Sequence, residues 1–546
     1  MVLFLPIGRV FRLPDITATG YHVKTFDRKP NNYGYFSAMI NLKLPLCRLI
    51  LPVSLVIAVA LVYAHAFSYP TFNPEHPFHY MLNAGLTGRE WLDYYLVAGD
   101  PFYRPTAYFT YYQIVTQWIG WHDIYSFKLV GLTLLVLLGY LIYRLGVLLW
   151  AGDRLAAGLA ALVTVIHPIM FVSVYEATGF DLLYQLLVLV IVFLFVGPAL
   201  TGSRRWLVVG LCLGLYLVAL TTKEQVVALP GFLLLVLLLD RWAPAVPARW
   251  WLLVGCILLT IGYILFSLPQ IGYVDSGEYR TGFNIAEVLG NVTSGPLWIA
   301  HLFVRNSETW PWMTVHNTIP DTLYGLSVVG VILWYGVRVF RQRQPEEQRR
   351  ASIAVIFVIS FIAIPIYSGG RSWHYALPLA GFALIQGRAI AMAIRAWAGS
   401  DRRRWGGAVA VAAILPVALS MVGFAREMDA RSALFRINTE ALIHPPVAPA
   451  AMPHGASILY ETGDNSWMYG LGRLFRFAYL DPSLNEIIVP ALVALTPEQG
   501  KAWLAAPSAY YFVYDPDHLP AWTDHSSQLR SYLEESETYR VNGGQP

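Results

Sequence analysis

The sequence predicts an all-α polytopic membrane protein of about eleven transmembrane helices, followed by a small α/β domain. Three observations predict it. The 546-residue chain is 56% hydrophobic and only 13% charged, with a mean hydropathy of +0.50, whereas soluble globular chains carry about 25% charged residues. A chain this apolar places most of its length in lipid. Its apolar residues gather into runs of the roughly 20 residues that a bilayer crossing needs, and after residue 425 those runs give way to short strand-like and helix-like segments.

The first 45 residues are polar and basic, with Arg9, Arg12, Lys24, Arg28, Lys29 and Lys43, and read as a cytoplasmic segment. No small-residue cleavage site follows the apolar run at 49–66, so that run is a retained first span. Spans are expected near 47–66, 127–149, 155–174, 181–199, 206–222, 225–240, 250–268, 322–340, 351–368, 374–394 and 406–424. The stretch TAYFTYYQIVTQWIG at 106–120 is aromatic and amphipathic, which suits a segment lying flat at the interface. Cys47, Cys212 and Cys256 fall in or beside apolar runs without metal-ligand spacing, as buried small apolar residues do.

Direction follows from lysine and arginine in the short loops. With the N-terminus inside, the cytoplasmic side holds Arg144, Arg154, Arg204, Arg205, Arg241, Arg249, the cluster from Arg338 to Arg350, and Arg388 to Arg404. The opposite side holds far fewer, among them Lys128 and Arg280. The net charge of +4 is therefore a topology signal and not a nucleic-acid surface. Three regions fall within the expected architecture: a cytoplasmic segment 1–45, a membrane domain 46–425 with outer loops 67–126 and 269–321, and an extracytoplasmic α/β domain 426–546. In the last, SILYET, EIIVPAL and AYYFVYDP alternate with TPEQGKAWLAA and SSQLRSYLEE. Thr496-Pro497-Glu498 is a good helix start.

Ionisable groups beside spans are costly and mark candidate sites. Here they gather at the outward junctions: Glu75, His76, His79, Asp93, Asp100 and Arg104 in the first loop, then His167, Glu176 and Asp181, then Lys223 and Glu224, then Arg371 and His374. Each has a plainer reading. Glu176 and Asp181 fit helix caps equally well, and Lys223 and Glu224 fit a solvated interfacial pair. Glu75, His76 and His79 have the donor types of a divalent-metal site, though interfacial histidines are commoner than metal sites.

Four segments resemble, in order, the GT-C class of membrane glycosyltransferases, which contains protein O-mannosyltransferases and aminoarabinose-to-lipid-A transferases. They are YRPTAYFTYYQIVTQWIGWHDIYSFKLVG from residue 103, HPIMFVSVYEATGFDLL at 167–183, TTKEQVVALPGFLLL at 221–235 and RSWHYALPLAGFALI at 371–385. The resemblance implies inverting sugar transfer from a polyprenyl-phosphate-linked donor to a protein, lipid or glycan acceptor at the outer face of a bacterial-type inner membrane. It implies a carboxylate in the first outer loop as general base or as ligand to a divalent ion such as Mg or Mn. Glu75 is the leading candidate, with Asp93 and Asp100 behind it. Arg104, Lys223 and Arg371 match basic positions for the donor phosphate, with Glu176, Asp181, Glu224 and His374 in support. The chain departs from the family at Asn73-Pro74-Glu75-His76, where an acidic pair is usual, and at Phe180, where an arginine is expected nearby. A catalytically silent scaffold or binding subunit of an envelope complex is the rival reading, and a transporter ranks last because the polar groups sit at span ends.

Overall fold

The computed structural model describes residues 46–64, 104–110, 124–170, 180–240, 246–267, 319–367, 372–398, 441, 444–461, 474–479, 481, 483–489, 491–515 and 521–541. Residues 1–50 form a unit of their own, of which only the start of the first helix is described. The rest of the chain forms the second unit.

Long helices dominate: α1 Leu46–Tyr63, α2 Ile124–Leu149, α3 Arg154–Ile166, α4 Phe180–Val196, α5 Arg205–Leu220, α6 Leu229–Leu239, α7 Pro247–Ser267, α8 Ile319–Gln342, α9 Pro345–Tyr367 and α10 Ala376–Ala398. Each overlaps one of the expected runs, and the eleventh, 406–424, lies outside the described residues. Among the described residues, Lys128–Leu149, Pro247–Ser267 and Ala376–Ala396 are long and apolar enough to cross a membrane, while five shorter apolar helices accompany them. The chain is a polytopic membrane protein by this measure.

Two helices differ from expectation for a local reason. The run at 155–174 stops being helical at Ile166, because Pro168 follows and cannot continue the backbone hydrogen bonding; a 3-10 turn Pro168–Met170 replaces it. The run at 225–240 opens as a 3-10 helix, Glu224–Ala228, before α6. Of the interfacial stretch 106–120, only the first residues are described, as one helical turn Pro105–Tyr108 with proline at its start.

Small residues set the closest helix contacts. Gly387 of α10 lies so near α3 that a Cβ there would strike the Ala156 carbonyl and come within 2.6 Å of the Ala160 nitrogen. Gly146 of α2 meets Ala157 in the same way, at 2.9 Å. In lipid, where water gives no hydrophobic drive between helices, such close backbone approach supplies the packing energy. On α1, Leu55, Val59 and Tyr63 are buried, one face at a four-residue spacing, and the Tyr63 hydroxyl donates to the Val165 carbonyl at 3.1 Å.

One end of the bundle is tied by charge. α2 ends with Ala151 (φ 50°) and Gly152 (φ 88°), and the Gly152 N–H returns to the Val147 carbonyl at 2.8 Å; this is a Schellman-type stop. Asp153 then caps α3 through the Ala156 N–H at 3.1 Å. Arg388 and Arg395 of α10 both reach the Asp153 carboxylate, and Arg388 also bridges to Glu347 of α9 at 2.7 Å. Asp240 at the end of α6 holds Arg349 at 2.6 Å and Arg249 at 3.5 Å. Burial alone would raise the Asp153 pKa, but the hydrogen bonds from Arg395 and the Ala156 N–H, with the charges of Arg395 and Arg388, hold it below the usual range. Exposed Trp206, Trp250 and Trp251 adjoin Arg205 and Arg249 at this end, in the pattern of an interfacial aromatic belt.

The C-terminal segment is the expected α/β fold. β1 Ser457–Glu461, β2 Asn485–Val489, β3 Ala509–Tyr514 and β4 Trp522–Asp524 form one sheet in the order β2-β1-β3-β4. The first three are parallel, with Leu459 opposite both Ile487 and Tyr511, and β4 is antiparallel to β3. Helices α11 Pro497–Ala505 and α12 Ser526–Val541 cover one face, where Leu459, Val489, Trp503, Tyr511 and Leu529 pack. Tyr460, Phe475 and Trp522 cluster edge-on with centroids 5.0–6.1 Å apart. Thr496 forms a full capping box with Gln499. Glu486 accepts from the Tyr460 hydroxyl at 2.8 Å and the Arg476 N–H at 2.6 Å. Burial nevertheless raises its pKa to about 7.

Two tests follow from this packing. Gly387→Val forces α10 off α3 and costs roughly 3 kcal/mol, whereas Gly231→Ala on α6, where a Cβ meets nothing within 4 Å, gains about 0.5–1 kcal/mol; thermal midpoints in detergent measure both, and equal midpoints would refute the close-approach account. For Glu486, the unfolded carboxyl ionises near 4.5 and the folded one near 7, so the folded state keeps a proton that the unfolded state has lost. Stability contributed there falls as pH rises from about 4.5 to about 7 and is level above. Glu486→Gln removes that part of the slope in melts across the range, and an unchanged slope would dismiss the assignment.

Candidate functional site

At the opposite end of the same helices, the segment between α5 and α6 gathers the candidate charges. α5 closes at Thr221, whose hydroxyl and that of Thr222 turn back to carbonyls of the last turn, at 2.9 and 2.7 Å. Lys223 follows in an extended conformation, φ −154° and ψ 131°, and Glu224 begins the 3-10 helix. Successive side chains on extended backbone point to opposite sides. Lys223 and Glu224 therefore find different partners.

Lys223 turns to α4, where its Nζ meets Asp181 Oδ1 at 2.6 Å, with the two side chains 5% and 9% exposed. Asp181 occupies the first turn of α4, where the helix dipole also favours a carboxylate. Glu224 turns to segment 104–110, within the first outer loop, and accepts Arg104 Nε and Nη2, each at 2.8 Å. This two-pronged geometry fixes the guanidinium plane as well as its position. The same strap is joined to that segment twice more. The Thr106 N–H donates to the Thr221 carbonyl at 3.0 Å, and the two threonine hydroxyls lie 2.6 Å apart. Tyr184, one turn past Asp181, donates to Gln225 Oε1 at 2.6 Å and lies within electrostatic reach of Asp181, Glu224 and Arg104. Among the described residues, two cations and two carboxylates thus form one charge-balanced group.

The solvated-pair reading of Lys223 with Glu224 does not hold: the two are neighbours in sequence, but the buried Lys223 pairs with Asp181 and the partly exposed Glu224 with Arg104. Asp181 is both a helix-start acid and the counter-ion of Lys223, so the capping reading holds in part. His374 is half-buried in the 3-10 turn Ser372–Tyr375 ahead of α10, and that turn packs on Pro168–Met170. The buried His167 lies beside it at the end of α3, and its Nδ1 accepts the Ile169 N–H at 3.2 Å. Glu75, His76, His79, Asp93, Asp100, Glu176 and Arg371 lie outside the described residues. Among the described residues, no group of three or more His, Cys, Asp or Glu side chains forms a metal cradle. The two site carboxylates, each matched to a cation, do not fit one either.

Sequence reading missed Thr106, Tyr184, Thr221 and Gln225, which link the charged pairs. A polar side chain inside an apolar run is the signal that could have found Tyr184 and Gln225. Lys128 counted only as a topology mark, yet it is 1% exposed in the first turns of α2, at this same end. Arg144 lies over Phe193 at 6.0 Å and a Cβ on Gly197 would touch Leu148 at 3.4 Å, so α2 and α4 run side by side in the same direction.

No protein-family model matches the sequence, and no curated protein matches it. Solved structures do. ArnT from Cupriavidus metallidurans bound to undecaprenyl phosphate superposes at a TM-score of 0.51 with 14% identity, covering 87% of this chain and 94% of that one. The apo form of the same protein gives 0.47 at 16% identity, over 86% and 93%. An Archaeoglobus fulgidus oligosaccharyltransferase tethered with an acceptor peptide gives 0.48 at 12% identity, over 89% and 68%. The first carries the comparison, and at its identity it speaks to fold. The chain has the fold of the GT-C class of membrane glycosyltransferases, to which ArnT belongs.

Proposed function

We propose that the chain is an inverting glycosyltransferase that moves a sugar from a polyprenyl-phosphate donor to a protein, lipid or glycan acceptor. The observation that carries this reading is the pairing of Arg104 and Lys223 at one end of an apolar bundle of GT-C fold. Fixed cations buried at a membrane end are the means by which a protein holds a lipid-borne phosphate. That the ArnT structure holds undecaprenyl phosphate supports the same carrier class here. The N-terminus lies inside and the C-terminal α/β domain, 426–546, outside, so that the site faces the outer surface of a bacterial-type inner membrane.

In the reaction, a carboxylate removes the acceptor hydroxyl proton as its oxygen attacks the anomeric carbon from the face opposite the phosphate. The bond from that carbon to the phosphate oxygen breaks, and its electron pair leaves with polyprenyl phosphate. Glu75 is the base, with Asp93 and Asp100 next in line; Arg104, Lys223 and Arg371 receive the charge that develops on the phosphate. Glu176, Asp181, Glu224 and His374 support them. A divalent ion, held by Glu75, His76 and His79, would supply further positive charge to the leaving phosphate. One observation favours a silent scaffold instead. Arg104 and Lys223 are each matched by a carboxylate, as a purely structural bridge requires.

Turnover decides between them. Purified wild type, Glu75→Gln, Arg104→Gln and Lys223→Gln are assayed for sugar release from a panel of polyprenyl-phosphate sugars with acceptor lipids and peptides. Wild type turns over one donor, and Glu75→Gln binds that donor but loses about 100-fold or more in rate. Full turnover in Glu75→Gln moves the base to Asp93 or Asp100. Absence of binding and turnover across the panel in all four proteins would favour the scaffold.

A further inference from the structure

Among the described residues, the site cations Arg104 and Lys223 are each matched by a carboxylate of the chain, and the two carboxylates come from different places. Asp181 is on α4, while Glu224 is joined to Lys223 by a peptide bond yet serves Arg104. We propose that Asp181 and Glu224 are internal counter-anions that compete with the carrier's phosphate for Lys223 and Arg104. They keep the spent polyprenyl phosphate loosely enough bound to leave. This rests on the reading that these two cations receive the carrier's phosphate.

The argument is electrostatic. A cation buried to the extent of Lys223, 4% exposed, is not tolerated without a counter-charge, so an empty phosphate site of this kind needs a stand-in anion. Among the described residues, two cations and two carboxylates make the group neutral when empty. A phosphate entering it gains the attraction of Arg104 and Lys223 but meets the repulsion of Asp181, in contact with Lys223, and of Glu224, within electrostatic reach of both cations. Binding is therefore weaker than two buried cations alone would give. In a transfer reaction whose product is the carrier phosphate itself, that attenuation favours release, a step that often limits turnover. Asp181 and Glu224 are positioning residues in this scheme: they act on the ligand through Lys223 and Arg104, with no bond to it.

The scheme predicts a sign that a merely structural bridge does not. Binding of undecaprenyl phosphate to the detergent-purified full chain is measured for wild type, Glu224→Gln, Arg104→Gln and the double variant, and likewise for Asp181→Asn with Lys223→Gln. Removing Glu224 tightens binding about tenfold in the wild-type background and by less than about twofold in the Arg104→Gln background. Undecaprenyl phosphate also raises the thermal midpoint of Glu224→Gln more than that of wild type. Glu224→Asp, which keeps the charge but loosens the pair, serves where Glu224→Gln gives too little folded protein, with a smaller gain of the same sign. Unchanged or weaker binding in the acid variants overturns the inference. So does a gain that persists in the cation-less backgrounds, and the proposed function survives either result. If wild type binds undecaprenyl phosphate no better than undecaprenol, both fall.

Discussion

Charge inside an apolar bundle survives only where another charge answers it, and the positions of those answers decide how this bundle is held. Two unit charges 4 Å apart attract by about 4 kcal/mol at the effective dielectric of a protein boundary, while stripping either of its partner costs about 3–5 kcal/mol when buried. The penalty for a mismatch is thus larger than most packing differences. At one end, Arg388 cannot leave Asp153 and Glu347 without leaving its own charge and that of Glu347 unanswered. At the other end, the strap between α5 and α6 cannot shift without breaking Lys223 from Asp181 or Glu224 from Arg104. Close approach at Gly146 and Gly387 brings the helices together; the ion pairs fix their register and ends.

The helices were legible because lipid imposes a length and a composition that leave a long trace in sequence. The C-terminal domain was legible for a different reason: SILYE, NEIIV and AYYFVY are short apolar runs bounded by polar turns, and Thr496-Pro497 announces α11. Partners were not legible. Arg104 and Glu224 stand 120 residues apart, and Arg388 and Asp153 stand 235 apart; nothing local says that they meet. The one pairing that sequence proximity invited, Lys223 with Glu224, fails because the backbone at Lys223 is extended. In a helix, neighbours of opposite charge diverge by about 100°; in an extended residue they diverge almost fully. Adjacent opposite charges at a helix junction are better read as two hands reaching apart than as a pair.

Pairing also bears on what each end can do. A cation matched within the protein is held in place, and that serves structure and chemistry alike. Burial alone does not separate the two roles, and Arg104, Lys223 and Arg388 are all partly or wholly buried. Linkage does separate them: the strap between Thr221 and Gln225 joins α4, the start of α6 and the segment 104–110 through hydroxyl, amide and carboxylate contacts. Segment 104–110 is the point at which the first long loop, with its acidic candidates, returns to the bundle. A displacement of Arg104 or Lys223 is therefore a displacement of that anchor as well.

The balance of charge differs between the ends, and the difference is physical. In the network around Asp153 and Asp240, four arginines face three carboxylates among the described residues, and exposed tryptophans stand next to it. Surplus positive charge beside an aromatic belt is what keeps a segment from crossing the bilayer, and such an end has reason to stay as it is. Around Asp181 and Glu224 the described charges cancel. A neutral group exerts little field on a distant ion, and attraction to its cations and repulsion from its carboxylates are felt only at contact range. The crossed pairs at the α5–α6 strap leave the described charges there balanced, whereas the network around Asp153 and Asp240 carries a surplus.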